Sequence, residues 1–420
     1  MDKRFANLFN LTEEQAIALL QTPLEQLEDE SDRYVAASHL RNFPTQRSIN
    51  ALIAAIENSE PALYNRIARR KAVESLGHIK AAVAMPTIRA CLGDEDCYTV
   101  ENAVWAIGEI GTEDDEIKEE IAQLLEKPGQ NHRLIMQTLA KFNYQQALER
   151  IEPFINSESE PIASAAIASV CRLTGDYSKM DRVVAFLQHS SVNARRGCIQ
   201  DLIDAQYYPA IPAIVKCPVS LVFRLRALRL LGETGRENGQ LTFAQLEPYL
   251  DTVIRDFPDD LELVYEYDQT PSLEFVINEL YHTDFGRCYL GSKTLLSEYR
   301  EQGGRALMAT YTAKARSDYG AHYHVVKLLG WLQYAPGYDL LVEALHNRAP
   351  QFQKSRAGAA IALGNLGDKR AIPELKASLE TKIWDLKYAS LLALEQLGDT
   401  TGRDIACNDA DWLVKAKAME

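Results

Sequence analysis

The chain has 420 residues, of which 46% are hydrophobic and 25% charged, and a formal net charge of −14. This composition supplies enough apolar surface for a packed core and excludes a disordered chain. The acidic balance argues against a nucleic-acid-binding protein, because backbone binding depends on many Lys and Arg neutralising phosphates.

The opening MDKRFANLFNLTEEQ holds no apolar signal-peptide core, and no later run is long and apolar enough to span a bilayer. A cytoplasmic protein without membrane association is expected. Seven cysteines, at 91, 97, 171, 198, 217, 288 and 407, form no CxxC pair and no Cys/His set spaced for zinc. Reduced thiols and no metal are expected.

One phrase then recurs along the chain: RRKAVESLGHI, VENAVWAIGEI, LRALRLLGETG, RAGAAIALGNLGD and YASLLALEQLGD. Marking its glycine, or the residue in its place, gives the anchors Arg41, Gly77, Gly108, Ala140, Cys171, Ile203, Gly232, Gly330, Gly364 and Glu395, mostly 31 or 32 residues apart. A period of this length, with apolar residues at helical spacing, predicts stacked two-helix units. The fold expected is all-α, one elongated and curved α-solenoid around a continuous core. Regular repeats are assigned to residues 1–235, degenerate aromatic-rich repeats to 236–317, and regular repeats with a capping tail to 318–420. The 98 residues between Gly232 and Gly330 are expected to hold three degenerate hairpins.

The register assigns roles by column. Twelve residues before the anchor stand Asn65, Asp96, Ser159, Ser191, Ser220 and Asp318, side chains suited to accept from the free amides of a first turn, so they are predicted N-caps. Eight before it come Arg33, Arg69, His132, Arg195, Arg224, His322, Arg356 and Lys387, with Val100 and Ala163 as exceptions. Groups in such a column tie neighbouring repeats together and are read as structural. Positions eleven, seven and three before the anchor lie opposite the apolar positions and form a predicted exposed stripe. It reads Arg66, Arg70, Glu74, then Cys97, Glu101, Trp105, then Gly129, Arg133, Gln137, then Val192, Arg196, Gln200, and later Tyr319, Tyr323, Lys327.

The pattern of a cap, a basic residue and A-x-x-A-L-G-x-[IL]-G resembles the HEAT-like repeats of phycobilin lyases, the E/F clan that attaches bilins to phycobiliproteins. SDRYVAASHLRNFPTQRSINALIAAI (31–56) and DEDCYTVENAVWAIGEIG (94–111) resemble its phycoerythrin-directed branch, which handles phycoerythrobilin and in some members isomerises it to phycourobilin. The resemblance covers most of the chain and departs at Val100, at Ala163 and between Glu237 and Ser317. It implies a lyase with phycoerythrobilin as substrate, no further cofactor, and a phycobiliprotein client, a phycoerythrin α subunit first.

A linear tetrapyrrole carries two propionates, conjugated rings and pyrrole nitrogens, and so calls for Arg or Lys, aromatic faces and a carboxylate. The stripe offers all three kinds: Arg66, Arg70, Arg133 and Lys327 for the propionates, Trp105, Tyr319 and Tyr323 for the rings, Glu101 or Asp318 for the nitrogens, with Cys97 as a transient attachment point. Catalysis would add a client thiol to the ethylidene group of the A ring and deliver a proton to the carbon skeleton. Within RSDYGAHYH (316–324), Asp318 is assigned as the acid–base group with Tyr319 beside it. Bland readings stand next to these. Asp318 shares the cap column, Trp105 has the size of a core residue, Cys97 has no evident activator, and His322 belongs to the basic column. The alternative function is a non-catalytic HEAT-repeat scaffold or chaperone of phycobilisome assembly or turnover, for which a longer apolar seam would be expected.

Overall fold

The computed structural model describes residues 11–58 and 60–420; Ser59 and residues 1–10, which include most of the opening read for a signal peptide, lie outside them. Among the described residues every regular element is a helix, and no helix is long and apolar enough to cross a membrane. The chain divides between Lys179 and Met180 into two compact units.

The first unit contains α1 (Glu13–Gln21), α2 (Asp32–Leu40), α3 (Gln46–Glu57), α4 (Leu63–Ile79), α5 (Met85–Ala90), α6 (Cys97–Ile110), α7 (Asp115–Gln123), α8 (His132–Lys141), α9 (Leu148–Ile151) and α10 (Glu160–Thr174). Helices α2, α4, α6, α8 and α10 carry the recurring phrase, and each packs against the next. Their apolar positions fall at helical spacing on one side, so Ala36, Ala72, Val73, Leu76, Ala103, Val104 and Ile107 are all buried. The recurring glycine has a steric cause: a Cβ on Gly77 would lie 2.7 Å from the Trp105 ring and 2.8 Å from Ala106 Cα in the next repeat.

The second unit contains α11 (Met180–Ala185), α12 (Val192–Asp204), α13 (Ile211–Lys216), α14 (Leu221–Glu237), α15 (Phe243–Arg255), α16 (Leu273–Glu279), α17 (Phe285–Glu298), α18 (Arg300–Ala313), α19 (Tyr319–Trp331), α20 (Tyr338–His346), α21 (Gln353–Leu366), α22 (Ile372–Ser378), α23 (Trp384–Gln396), α24 (Thr401–Ala406) and α25 (Trp412–Met419). Helices α19, α21 and α23 stack in sequence. A Cβ on Gly330 would lie 2.5 Å from Ala362 Cβ, closer than real Cβ atoms approach. Because the obstacle sits on the neighbouring backbone, Gly330→Ala is expected to cost about 1–3 kcal/mol. A thermal melt followed by circular dichroism checks this, and an unchanged midpoint would contradict the close-approach account.

Between Gly232 and Gly330 the structure holds two hairpins, α16/α17 and α18/α19, and a lone helix, α15, rather than three hairpins. The chain after α15 carries Pro258 and Pro271 and runs without a long helix until Leu273. Helix α15 buries Leu246, Leu250, Val253 and Ile254 and packs against α14 and also against α21, α23 and α25. Tyr388 donates to Asp251 at 2.8 Å, Lys417 bonds Asp251 at 3.1 Å and also Glu247, and Phe243 meets the Trp412 ring edge-on at 6.4 Å. The late repeats are thus covered on this side by a helix of the same chain.

Five of the six residues of the capping column stand at an N-cap position, and two of them cap through the side chain. Asp96 accepts from the Thr99 amide and Asp318 from the amides of Gly320 and Ala321. Ser159, Ser191 and Ser220 occupy the N-cap position without a side-chain bond to an amide. Asn65 does not cap: it lies inside α4, whose N-cap is Ala62, and its buried amide accepts from Arg33 and donates to Glu60 at 3.0 Å. The basic column ties repeats together. Arg69 pairs with Asp94 at 2.6 Å, Arg195 with Asp284 at 2.6 Å, Arg224 with Asp256 and Lys387 with Asp409 at 2.6 Å, while Arg356 donates to the Leu345 carbonyl at 2.8 Å.

Candidate functional site

In the first unit, the stripe of three successive repeats builds one depression of about 370 Å³, lined by Glu74, Glu101, Asn102, Trp105, Asn131, Arg133, Leu134 and Gln137. Glu74, Glu101, Trp105, Arg133 and Gln137 are stripe positions, so the register brings these together as expected. Trp105 serves both readings. One edge meets the His78 ring, with centroids 4.7 Å apart, and abuts Gly77, and it also lines the depression. Arg133 donates to the Pro161 carbonyl at 2.7 Å.

Arg70 is engaged elsewhere. It grips Asp96, the cap of α6, through two bonds of 2.6 Å and lies over the Tyr98 ring, 4.6 Å from its centroid. The hydrogen bond to Asp96 raises the guanidinium pKa. Although burial raises the Asp96 carboxyl, the bonds from Arg70 and Thr99 hold it below the usual carboxylate range. A bidentate pair of this kind is among the stronger polar contacts. Arg66 is exposed and Cys97, the first residue of α6, is half-buried; neither lines the depression.

In the second unit the expected stripe stays exposed at Tyr319, 52% accessible, and is buried at Tyr323 (0%) and Lys327 (4%). The burial of these two side chains has a physical cause, the segment at the end of α15. Asp256 caps α15 in the left-handed conformation, φ 54°, and is fully enclosed. Its carboxylate accepts from Arg224, Tyr323 and Tyr289, the last at 3.0 Å. Lys327 donates to the Arg255 carbonyl. Burial pushes the Asp256 carboxyl up, but Arg224 and Lys327 beside it outweigh this and hold it below the usual range. Tyr323 and Lys327 therefore belong to a buried polar cluster and are not on an open face.

Tyr319 instead borders a cavity of about 390 Å³, lined by Val222, Leu225, Arg226, Arg229, Tyr319, Pro350, Gln351, Gln353, Lys354, Trp384 and Asp385. Arg229 lies over the Trp384 ring, 5.0 Å from the centroid. Burial raises the Asp385 carboxyl. Lys354 is only 4% exposed, and its ammonium has no hydrogen-bond partner. It sits among three rings, 3.5 Å from the centroid of Tyr319, 4.2 Å from Phe285 and 5.4 Å from Tyr323. Burial lowers its pKa to about 7. Asp318, at the head of the same helix, spends one carboxylate oxygen on the amides of Gly320 and Ala321, at 2.9 and 2.8 Å. His322 and His324 are buried and pushed down to about 4 and about 3, so both are neutral.

Arg226, Arg229, Lys354, Trp384 and Asp385 were not among the candidates read from the sequence. The stripe register nevertheless reaches four wall positions besides Tyr319, the first being Leu225, seven before Gly232. Arg229 stands three before Gly232, Gln353 eleven before Gly364, and Trp384 eleven before Glu395, the column that also holds Tyr319. Lys354 sits one residue off the stripe, so only packing exposes its position.

Residues 355–381 match the family described as PBS lyase HEAT-like repeat. The chain is 57% identical over 417 residues, 99% of each chain, to an "Uncharacterized phycocyanin operon protein Y" of Pseudanabaena tenuis. It is 31% identical over 413 residues, 93% of this chain and 97% of the relative, to "Bilin biosynthesis protein CpeY" of a Synechococcus species. The solved complex of CpcE and CpcF of phycocyanin lyase from a Nostoc species contains a chain that superimposes with a TM-score of 0.50 at 26% identity, over 58% of this chain and 94% of that one. On repeat, relatives and fold together, the chain belongs to the E/F clan of phycobilin lyases.

Proposed function

We propose that this lyase attaches phycoerythrobilin, through a thioether bond, to a cysteine of a phycoerythrin α subunit in the cytoplasm, with the bilin as substrate and no further cofactor. The observation that carries the reading is the second unit's cavity, where two Arg, two aromatic faces and a carboxylate surround one space of the size usual for small-molecule sites. Arg226 and Arg229 suit the propionates, Tyr319 and Trp384 the ring faces, and Asp385 the pyrrole N–H groups. Likeness to the bilin biosynthesis protein CpeY over 93% of the chain supports a bilin as the substrate.

The reaction joins the client sulfur to the ethylidene carbon of the A ring. The S–H bond and the C=C π bond break, and the neighbouring ring carbon takes a proton. Asp318 and Tyr319 are the proposed acid–base pair, with Tyr319 at the cavity wall and one Asp318 oxygen beyond those bonds to its helix. Glu101, Trp105 and Arg133 repeat the same three kinds of group in the first unit and are proposed as bilin-binding with Arg66, Arg70 and Cys97. Tyr323 and Lys327 support the wall from beneath.

The test is co-expression with phycoerythrobilin synthesis and either phycoerythrin or phycocyanin α subunits, read as covalent fluorescence on a denaturing gel. A coloured phycoerythrin α subunit is expected, and a urobilin-like blue shift would add isomerisation. Colour on phycocyanin alone would move the client, and failure of the purified chain to bind bilin would favour the scaffold. Trp384→Ala and Trp105→Ala are each expected to weaken bilin binding about tenfold, the scale of one lost ring contact, in a visible-absorbance titration. A variant that binds as tightly as the parent removes its cavity from the site.

A further inference from the structure

Lys354 is an unusual occupant of a wall between repeats. Lysine ammonium groups are strongly hydrated and are buried only with partners, yet this one is enclosed without a single hydrogen bond. The ring of Tyr319 roofs it at 3.5 Å from the centroid, and that tyrosine is itself 52% exposed and borders the cavity with Lys354. An exposed side chain changes rotamer in picoseconds to nanoseconds, so one rotation of Tyr319 would open the amine to whatever fills the cavity.

We propose that Lys354 is a catalytic acid of this site, held under the Tyr319 ring and uncovered to protonate the conjugated substrate lying between Tyr319 and Trp384. The proposal rests on the lyase reading for its substrate. In the step, the client sulfur bonds to the ethylidene carbon, the Lys354 ammonium gives its proton to the adjoining ring carbon, and the proton that the thiol loses returns to the neutral amine by way of the Asp318–Tyr319 pair. Nothing else is consumed.

The surroundings suit that cycle. The cation–π contacts with Tyr319, Phe285 and Tyr323 favour the ammonium while burial opposes it, and the amine is lowered to about 7, where gain and loss of a proton are both accessible. Apart from Asp318 and Tyr319, which exchange protons with it, the titratable and charged groups facing it are fixed in character. Cys288 is pushed up to about 12 by burial and stays a thiol, and His322 and His324 are neutral. Tyr323 is raised well above its usual range by burial. Asp256 is locked to Arg224, and Arg196 adds a positive charge from α12.

The experiment measures attachment rate against pH for the full chain, with phycoerythrobilin and the client subunit, alongside bilin binding by absorbance. The parent is expected to lose rate above about pH 7, as the ammonium deprotonates. Lys354→Met should bind bilin within about threefold and attach it about 100-fold more slowly. Lys354→Arg keeps the charge but cannot give up the proton, and should attach no faster. Tyr319→Ala admits water to the amine and should move the alkaline limb upward. A parental rate in Lys354→Met, or rescue by Lys354→Arg, overturns the proposal. If the parent colours no client, the lyase reading fails separately, and Lys354 is tested by its labelling with acetic anhydride across pH, read by mass spectrometry. A midpoint near the ordinary lysine value of about 10 overturns it there too.

Discussion

Replacing Asp256 by alanine is expected to destabilise the protein by about 3–5 kcal/mol, the cost of stripping the partner from a buried charge. Arg224 is 1% exposed and Asp256 3%. The carboxylate is also the acceptor for Tyr289 and Tyr323, so its loss takes that acceptor from two buried phenols and leaves the guanidinium without a counter-charge, held only by the Tyr289 hydroxyl and the Val215 carbonyl. Asp256→Asn should cost nearly as much, because it keeps the shape and loses the charge. Urea denaturation followed by circular dichroism measures the effect. If Arg224→Met combined with Asp256→Leu recovers most of the loss, uncompensated charge is the cause. If the double variant is as weak as the single, the carboxylate's role is steric and the account fails.

The second large effect is acid sensitivity. His324 and His322 titrate at about 3 and about 4 in the folded protein because burial penalises their charged forms, with Lys354 adding repulsion. In the unfolded chain a histidine takes a proton near 6.5. Between these values the unfolded state holds more protons, so stability falls as the pH drops from about 6.5 and levels off only below the folded values. For His324 alone this amounts to about 4–5 kcal/mol across the window. Urea midpoints measured from pH 7.5 to 4 should decline steeply, and His324→Gln should flatten the slope by close to one proton. An unchanged slope in that variant would mean that the ring is protonated and partnered in the fold.

The hairpin period, the cap column and the basic column were legible because each is repeated and obeys local rules: helical spacing, a free first-turn amide, a neighbouring carboxylate. The first-unit depression was legible for the same reason, since Glu101, Trp105 and Arg133 follow from the register alone. Asn65 failed because α4 starts three residues earlier than its sisters, at Leu63. Tyr323 and Lys327 failed because what covers them, the end of α15 with Asp256, lies outside the recurring phrase and about seventy residues away in sequence. Lys354 was invisible for a related reason: its significance lies in three rings drawn from α17 and α19, and no spacing rule in its own repeat points to them.

Helix α15 also bears on how the second unit folds. Stacked repeats normally exchange contacts only with their neighbours, so that stability grows step by step along the chain. Here Asp251 bonds Tyr388, 137 residues on, and Glu247 bonds Lys417, 170 residues on. Contacts so distant in sequence slow folding, because the loop must close before they form. During synthesis α15 therefore emerges long before the surface it lies on. The late repeats and α15 should gain protection from hydrogen exchange together, as one cooperative block and not as a travelling front.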